Sequence, residues 1–202
     1  KLDIVASGSQ KGYMIPPGLS FIAMSQKAWE AAEKSNLPKF YLNLKSYRKS
    51  LLTNSNPYTP AVNLVFALDE ALKMMREEGL DNIFQRHNKH KLAMSNAVKA
   101  LNLKLFADEK YLSPSITAIK TEGIDAEEFR KTIKNNFDIL LAGGQDHLKG
   151  KIFRVGHLGY VNDRDIITVV SAMSNTLLKL GKISAQQAGE ALVMASKYLK
   201  EN

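Results

Sequence analysis

The chain has 202 residues, of which 45% are hydrophobic and 24% charged, and these proportions exclude the disordered and fibrous classes of protein. It contains no cysteine, which excludes a disulfide scaffold, a zinc ribbon and thiol catalysis. The net charge of +8 suggests nucleic acid or small anions as candidate partners.

The apolar stretches are too short to cross a bilayer, and the first residues lack the pattern of a secretory signal. We therefore expect no membrane association and a cytoplasmic location. The sequence begins with Lys1 rather than Met, and its first ten residues resemble the interior of a fold. This start predicts a fragment of a longer polypeptide.

Two short apolar runs near the N-terminus predict strands over residues 2–6 and 19–24. The residues between them are rich in Ser, Gly and Pro, so they predict a loop. Ser25 is a suitable N-cap for a helix that runs to about Lys34. Strands followed by helices favour an α/β or α+β architecture.

The pair Thr59-Pro60 is typical of a helix start, with a capping residue before a proline at the first helical position. We expect this helix to end near Gly79. A second helix is predicted from Leu80 or Asp81 through about Ala100.

The remaining sequence alternates short apolar runs with amphipathic segments, which predicts a compact α+β unit and a change of domain near residues 79–100. The predicted elements are strands over 103–107, 116–121, 138–142 and 151–155, and helices over 126–135, from Asn162 or Asp163, and after the capping box at Ser184 and Gln187.

Lys11 is the first candidate for chemistry, because it lies in a loop of small residues directly after a predicted buried strand. A lysine amine can form a Schiff base with a carbonyl, and small neighbours leave room for a planar partner. The segment is not a phosphate-binding P-loop, since the order of Gly and Lys differs. A lysine in a surface turn is the alternative.

Two further residues could bind anions. The backbone amides near Thr59 could form an anion site at a helix N-terminus, although Thr59 could equally cap its own helix. Arg154 lies in an apolar run, where its planar guanidinium could grip a carboxylate or make a structural salt bridge. We expect His157, in the same run, to be a packing or hydrogen-bonding residue.

Other patterns favour ordinary surface roles. His87 and His90 share the spacing of metal ligands on a helix, but without a third ligand we expect solvated histidines and no metal. The basic residues Lys39, Lys45, Arg48, Lys49, Arg86, Lys89 and Lys91 predict solvated faces, since no nucleic-acid-binding motif accompanies them.

Three ordered motifs together resemble one family. They are residues 3–11 (DIVASGSQK) with 16–18 (PPG), residues 57–62 (PYTPAV) and residues 150–159 (GKIFRVGHLG). The sequence resembles the class V, fold-type I aminotransferases that use pyridoxal 5'-phosphate. Within them it is most similar to the alanine–glyoxylate and serine–pyruvate branch, from residue 1 to about 200.

The resemblance implies a role for each matched residue. Lys11 would form the Schiff base with pyridoxal phosphate, and Gln10 would help to hold the cofactor phosphate. Thr59 would reach the phosphate of the neighbouring subunit's cofactor, so the active site would be shared in a homodimer. Arg154 would bind the substrate carboxylate. Some members carry Tyr where this chain has Asn56, so whether Asn56 or Tyr58 contacts the phosphate stays open.

The resemblance also implies an α/β fold: residues 1–79 would be the end of the large cofactor-binding domain, and residues 80–202 the small C-terminal α+β domain. The loop that cups the phosphate and the Asp that faces the pyridine nitrogen precede the lysine in this family. We therefore expect the chain to need the N-terminal half of the same enzyme, and to be inactive and prone to aggregation alone.

The activity implied is transfer of an amino group from alanine, serine or aspartate to glyoxylate or pyruvate, by a ping-pong aldimine and ketimine mechanism. The alternatives are another class V enzyme such as a lyase, or a non-catalytic subunit of a larger assembly; the absence of cysteine argues against a desulfurase. A nucleic-acid-binding module rests on charge alone. The sequence does not fix the amino donor or acceptor.

Overall fold

The computed structural model describes residues 1–200. The chain divides into two compact units, Lys1–Glu77 and a second that begins at Glu78. In residues 1–200, no helix combines the length and the apolar character needed to cross a membrane.

The first unit opens with a β-hairpin. Strands β1 (Ile4–Gly8) and β2 (Ser20–Met24) pair antiparallel, with Ile4 opposite Met24 and Gly8 opposite Ser20. Helix α1 (Gln26–Lys34) follows, and the Ser25 hydroxyl accepts a hydrogen bond from the Ala28 amide at 3.2 Å. The predicted cap and helix are confirmed.

Two further helices complete this unit. Helix α2 (Leu44–Leu51) was not predicted: it has only eight residues, most of them polar, and follows an Asn43 cap. None of its residues is buried. Helix α3 (Val62–Glu78) ends one residue before Gly79, as predicted, and Gly79 adopts a φ of 81°.

The predicted start of α3 at Thr59-Pro60 is wrong by two residues. The carbonyl of Ala61 is the first to accept a helical hydrogen bond, from the amide of Val65 at 3.1 Å. Pro60 instead lies in a tight turn, where its carbonyl accepts from the amide of Val62 at 3.0 Å. Thr59 therefore does not cap this helix.

The second unit contains helices on a four-stranded antiparallel sheet, whose strand order is β3-β4-β6-β5. Its elements are α4 (Leu80–Ala100), β3 (Lys104–Leu105), β4 (Ile116–Lys120), α5 (Ala126–Phe137), β5 (Ala142–Gly143), β6 (Ile152–Gly156), α6 (Asp163–Lys179) and α7 (Ala185–Lys200). Two 3₁₀ turns lie at Glu109–Tyr111 and Asp146–Leu148.

The two outer strands are shorter than predicted, and the strand over 138–142 is largely wrong. Helix α5 continues to Phe137, and Asp138 adopts a left-handed φ of 54° as its C-cap. Only Ala142 and Gly143 pair with β6. A left-handed Asp is tolerated because its short polar side chain reduces the steric cost. The residues over 139–141 that follow it do not pair with β6.

Side-chain caps begin the later helices as predicted. The Asp125 carboxylate accepts from the amides of Glu127 and Glu128, at 2.8 and 2.9 Å. Ser184 and Gln187 form the predicted capping box, in which each side chain bonds to the other residue's amide.

The main hydrophobic core belongs to the second unit. Its largest fully buried side chains include Phe129, Phe153, Met94, Leu101, Ile119, Ile133, Ile166, Met173 and Leu177. Phe129 on α5 packs against Phe153 on β6, with ring centroids 5.0 Å apart. In the first unit the buried residues are only Ser9, Ile15, Ala28 and Ala71, while hairpin residues such as Ile4 and Ile22 are exposed.

Candidate active site

The loop between β1 and β2, residues 9–19, is anchored by Ser9; we refer to it as the lysine loop. The Ser9 side chain is fully buried, donates to the carbonyl of Pro16 at 2.7 Å and accepts from the amide of Leu19 at 3.2 Å. Its backbone amide donates to the carbonyl of Leu19 at 3.0 Å. These bonds tie the two ends of the loop together.

Lys11 is exposed at the start of this loop. Its amide donates to the carbonyl of Gly8 at 3.2 Å, and its carbonyl accepts from the amide of Met14 at 3.0 Å. In residues 1–200, no side chain bonds to the Lys11 amine. The backbone of Lys11 is therefore held while its amine is left accessible.

The backbone at Met14 has an unusual conformation. Its φ is 64°, in the left-handed region that side-chain-bearing residues rarely adopt. Such a conformation persists only where surrounding contacts over-determine it, and it is found disproportionately near functional sites. Here the hydrogen bonds around Ser9 and Lys11 supply those contacts.

The polar side chains of Gln10 and Thr59 are available to bind a ligand. Each side chain is exposed, and neither makes a side-chain hydrogen bond within the part of the chain that the structure describes. Gln10 lies beside Lys11 in the lysine loop, and its side-chain oxygen lies 2.8 Å from where a Cβ on Gly8 would be. Thr59 lies on a separate loop, where residues 54–60 line an open depression of about 830 Å³.

Tyr58 differs from Asn56 because its hydroxyl makes a hydrogen bond within the chain. Its hydroxyl donates to the carbonyl of Phe40 at 3.0 Å, and its ring packs 4.8 Å from that of Tyr41, measured between centroids. Asn56 is exposed. The hydroxyl proton of Tyr58 is thus committed to the protein backbone.

Arg154 lies on the central strand β6, between Ala118 of β4 and Ala142 of β5 in the sheet register. These small neighbours leave the guanidinium uncrowded. Its Nε donates to the carbonyl of Gly143 at 2.9 Å. In residues 1–200, no carboxylate lies within ion-pair distance of Arg154. The structural salt bridge considered above is therefore not observed, and both terminal amino groups can bind an external carboxylate.

The segment that follows β6 is tied to helix α4. Arg86 donates to the carbonyls of Gly159 and Val161 at 2.9 and 2.8 Å, and its other nitrogens bond to both oxygens of Glu78. This pairing holds the pKa of Glu78 below its usual value, against the opposing effect of burial. Arg86 therefore has a structural role and is not part of a simple solvated face.

His157, next in sequence to β6, is fully buried. Its Nδ1 contacts the carbonyl of Pro114 at 3.0 Å, so this nitrogen must carry the proton, and its Nε2 accepts from the Thr117 hydroxyl at 2.9 Å. Burial lowers the pKa of His157 to about 4. This neutral, fully bonded ring confirms the predicted hydrogen-bonding role.

The expectation that His87 and His90 are solvated is wrong. His87 is buried, and its Nε2 accepts from the amide of Gly159 at 3.1 Å; His90 is also buried, and its Nε2 contacts Asp163 at 2.9 Å. Burial lowers the pKa of His90, and the bond to Asp163 opposes this only in part. His87 thus contacts the segment after β6, and His90 contacts the first residue of α6. Among residues 1–200, no group of three or more potential ligands could hold a metal.

Two of the predicted site residues, Gln10 and Lys11, are adjacent in the lysine loop; Thr59 lies on another loop of the same unit, and Arg154 on the sheet of the second unit. Sequence reasoning missed the roles of Ser9 and Gly143. Ser9 lies inside the quoted lysine motif but was given no function. Gly143, which follows the predicted strand over 138–142, was assigned no role.

Comparison with known proteins decides the family. The family model "Aminotransferase class-V" matches residues 1–168. The chain belongs to the class V aminotransferases. Membership of this family implies pyridoxal phosphate as the cofactor.

Two relatives illustrate the match in sequence. A Synechococcus protein named "Soluble hydrogenase, small subunit" is 58% identical over 180 residues, covering 89% of this chain and 47% of its own. Serine–glyoxylate aminotransferase from Methylorubrum extorquens is 36% identical, covering 100% of this chain and 52% of its own. The chain thus spans about half the length of these relatives.

Among solved structures, pyridoxamine–pyruvate aminotransferase from Mesorhizobium loti superposes with a TM-score of 0.90 at 26% identity, covering 98% of this chain and 51% of that one. The predicted α/β fold of a pyridoxal-phosphate aminotransferase is therefore confirmed for this class V member.

The residues present fit this cofactor. An aldehyde needs an accessible amine, and the Lys11 amine is free of side-chain partners within residues 1–200. A phosphate needs hydrogen-bond donors, and the Gln10 amide and Thr59 hydroxyl are exposed donors of this kind.

Proposed function

We propose that the protein containing this chain is a pyridoxal-phosphate-dependent aminotransferase. It transfers an amino group from a small amino acid, alanine, serine or aspartate, to glyoxylate or pyruvate. The observation that carries this proposal is the lysine loop, in which a buried Ser9 holds the backbone around an accessible Lys11 amine. Relatives named glyoxylate aminotransferases support the choice of substrates.

Each site residue has one proposed role. Lys11 is the covalent attachment point for the cofactor, and Gln10 donates to the cofactor phosphate. Thr59 donates to the phosphate held by the other subunit of a homodimer, which would explain why its exposed hydroxyl makes no side-chain hydrogen bond within the part of the chain that the structure describes. Arg154 binds the substrate α-carboxylate through its two terminal amino groups.

The bound cofactor supplies the electron-withdrawing system that acidifies the substrate Cα–H bond. The amine of Lys11 would accept the proton from the substrate Cα as a general base and would donate it, as a general acid, to the carbon that came from the cofactor aldehyde. Arg154 orients the substrate and takes no part in proton transfer. Since donor and acceptor use one site in turn, the kinetics are ping-pong.

This activity is proposed for the whole protein, because the chain spans about half the length of its relatives. We propose that residues 1–79 form the end of the large cofactor-binding domain and residues 80–202 the small domain. The first unit buries few side chains of its own, which is consistent with a segment that completes its core elsewhere. We expect the chain alone to be inactive.

The test is an absorbance spectrum of the whole protein with pyridoxal phosphate. We expect a band from the lysine-bound cofactor, its loss on adding the correct amino donor, and its absence in Lys11→Ala. The matched control is Lys34→Ala, which removes an exposed lysine on α1. Normal turnover in Lys11→Ala would refute the assignment. A panel of alanine, serine and aspartate then identifies the donor.

A second candidate is a non-catalytic subunit of a larger assembly. It is favoured by the Synechococcus relative, which is 58% identical and is named as a hydrogenase subunit. The same spectrum separates the two functions. A protein that binds no cofactor through Lys11, and exchanges no amino group with any donor, supports the subunit.

A further inference from the structure

Arg154 is directed by a single hydrogen bond. Of the guanidinium nitrogens, Nε donates to the carbonyl of Gly143 at 2.9 Å, and no other protein partner is recorded among residues 1–200. Because a guanidinium is planar, the position of this carbonyl sets the direction in which the two terminal amino groups point. The position of β5 therefore controls the direction in which the terminal amino groups of Arg154 can bind a carboxylate.

Strand β5 has little support of its own. It consists only of Ala142 and Gly143, and it lies at the edge of the sheet with β6 as its one neighbour. Beyond the strand, the amide of Gly144 donates to the carbonyl of Ile152 at 3.1 Å. So short an edge strand needs contacts from outside the sheet to keep its carbonyls in place.

Helix α5 supplies those contacts through Arg130. Its Nε donates to the carbonyl of Leu141 at 2.8 Å, directly before β5, and its Nη1 donates to Glu127 at 2.6 Å. The Arg130–Glu127 pair lies against Gly143: a Cβ there would be 2.6 Å from Nη1 of Arg130 and 2.8 Å from Oε1 of Glu127. Only glycine allows this approach without displacing the pair.

We propose that Arg130, held by Glu127, is a positioning residue for substrate recognition. It keeps β5 in the place where the carbonyl of Gly143 aims Arg154 at the substrate α-carboxylate. The Arg130 guanidinium touches neither the substrate nor Arg154 and acts through the backbone of β5. This inference rests on the proposed function for its substrate and on hydrogen bonds within the second unit for its geometry.

The first test compares the whole protein with its Arg130→Met variant, which keeps an apolar stem but removes the donors. The readout is kcat/KM for the best amino donor divided by kcat/KM for its α-amide, which lacks the carboxylate. We expect this ratio to fall about tenfold or more, through KM, since misaimed groups lose binding steeply. Cofactor loading and the rate with the amide should stay near normal.

The matched control is Lys131→Met, which removes one positive charge from the next, exposed position of α5. It should leave the ratio unchanged. Gly143→Ala provides a second variant, because the new Cβ displaces Arg130 without removing it; it should lower the ratio as Arg130→Met does. If both variants keep the normal ratio, or if both substrates lose rate in parallel, the proposal is wrong.

A second measurement needs no catalytic activity. In the whole protein labelled with ¹⁵N-arginine, the Nε–H signal of Arg154 is assigned by its loss in Arg154→Lys. We expect the signal to be protected from exchange in the unmodified protein and in Lys131→Met, and to lose protection in Arg130→Met. Retained protection in Arg130→Met overturns the positioning role, even if the protein proves not to be a transaminase.

Discussion

The hydroxyl of Ser9 donates to the carbonyl oxygen of Pro16 across the base of the lysine loop, at 2.7 Å. The hydroxyl oxygen of Ser9 also accepts from the amide of Leu19, so one buried side chain satisfies backbone groups on both sides of the loop's proline–glycine turn. The buried hydroxyl of Ser9 therefore holds the loop backbone that carries the accessible amine of Lys11.

Ser9→Ala should weaken this loop and reduce cofactor binding while leaving Lys11 in the chain. The substitution removes the hydrogen bonds to the carbonyl of Pro16 and the amide of Leu19, which contribute about 0.5–1.5 kcal/mol each. Cofactor titration by absorbance and thermal unfolding of the whole protein measure the two effects. Ser7→Ala, on the preceding strand, is the control and should bind cofactor normally. Equal affinity in Ser9→Ala would contradict the anchoring role.

Arg154→Lys should raise KM for the amino donor with a much smaller change in kcat. A lysine amine cannot bond to the Gly143 carbonyl and also present two parallel donors to a carboxylate. The lost charged hydrogen bond predicts a rise of about tenfold or more. Steady-state kinetics with Arg164→Lys, an exposed arginine on α6, provide the comparison. An unchanged KM would indicate that Arg154 has a structural role alone.

Arg86→Met should destabilise the segment after β6. The substitution leaves the carbonyls of Gly159 and Val161 and the carboxylate of Glu78 without their partner. We expect the free energy of unfolding to fall by about 2 kcal/mol or more. Urea unfolding of the single variants Arg86→Met and Glu78→Gln and of the double variant separates the ion pair from the bonds to the carbonyls. Full additivity of the two substitutions would show that the pair is not coupled.

Acid should destabilise the second unit through His157. Its pKa is lowered to about 4 in the folded protein, below the value near 6.5 of an unfolded histidine. The unfolded state therefore binds its proton first, and stability falls as pH drops from about 6.5 to 4, by about 3 kcal/mol in total, then levels off.

The measurement is urea unfolding as a function of pH for His157→Gln. This variant should be less stable near pH 7, because it loses a bond to Thr117 or Pro114, but its stability should depend less on pH across that interval. His147→Gln, in an exposed turn, should retain the slope of the unmodified protein. An unchanged slope in His157→Gln would show that another group is responsible.

The sequence predicted the elements whose signals are local. The apolar spacing of Ile166, Val169, Val170, Met173 and Leu177 is enough to define α6, and these residues are all buried in it. Helix α2 has only eight residues, and its apolar residues Leu44, Tyr47 and Leu51 are spaced as on one helix face but are not buried, so its signal is short and weak. The short length of β5 could not be predicted, because the apolar run over 139–142 favours a longer strand and only pairing with β6 decides which residues form it.

In the candidate site too, the sequence predicts residues with unusual local surroundings but not their distant partners. Lys11 and Arg154 stand out because an exposed amine among small residues, and an arginine in an apolar strand, are chemically unusual. The partner of Arg154 could not be predicted, because Gly143 contributes a backbone carbonyl and no side chain. The partners of His87 and His90, Gly159 and Asp163, likewise lie some seventy residues away in sequence and meet α4 only in the folded chain.

Buried apolar residues are unevenly distributed along this chain: the hydrophobic core cluster begins at Ala93, whereas Lys11 lies where few side chains are buried. Mutations should therefore separate into two phenotypes. A substitution such as Phe153→Ala lowers the amount of folded protein in a cell, and with it every property in proportion. A substitution of the exposed Lys11, such as Lys11→Ala, leaves abundance nearly intact and alters the yield of product per molecule.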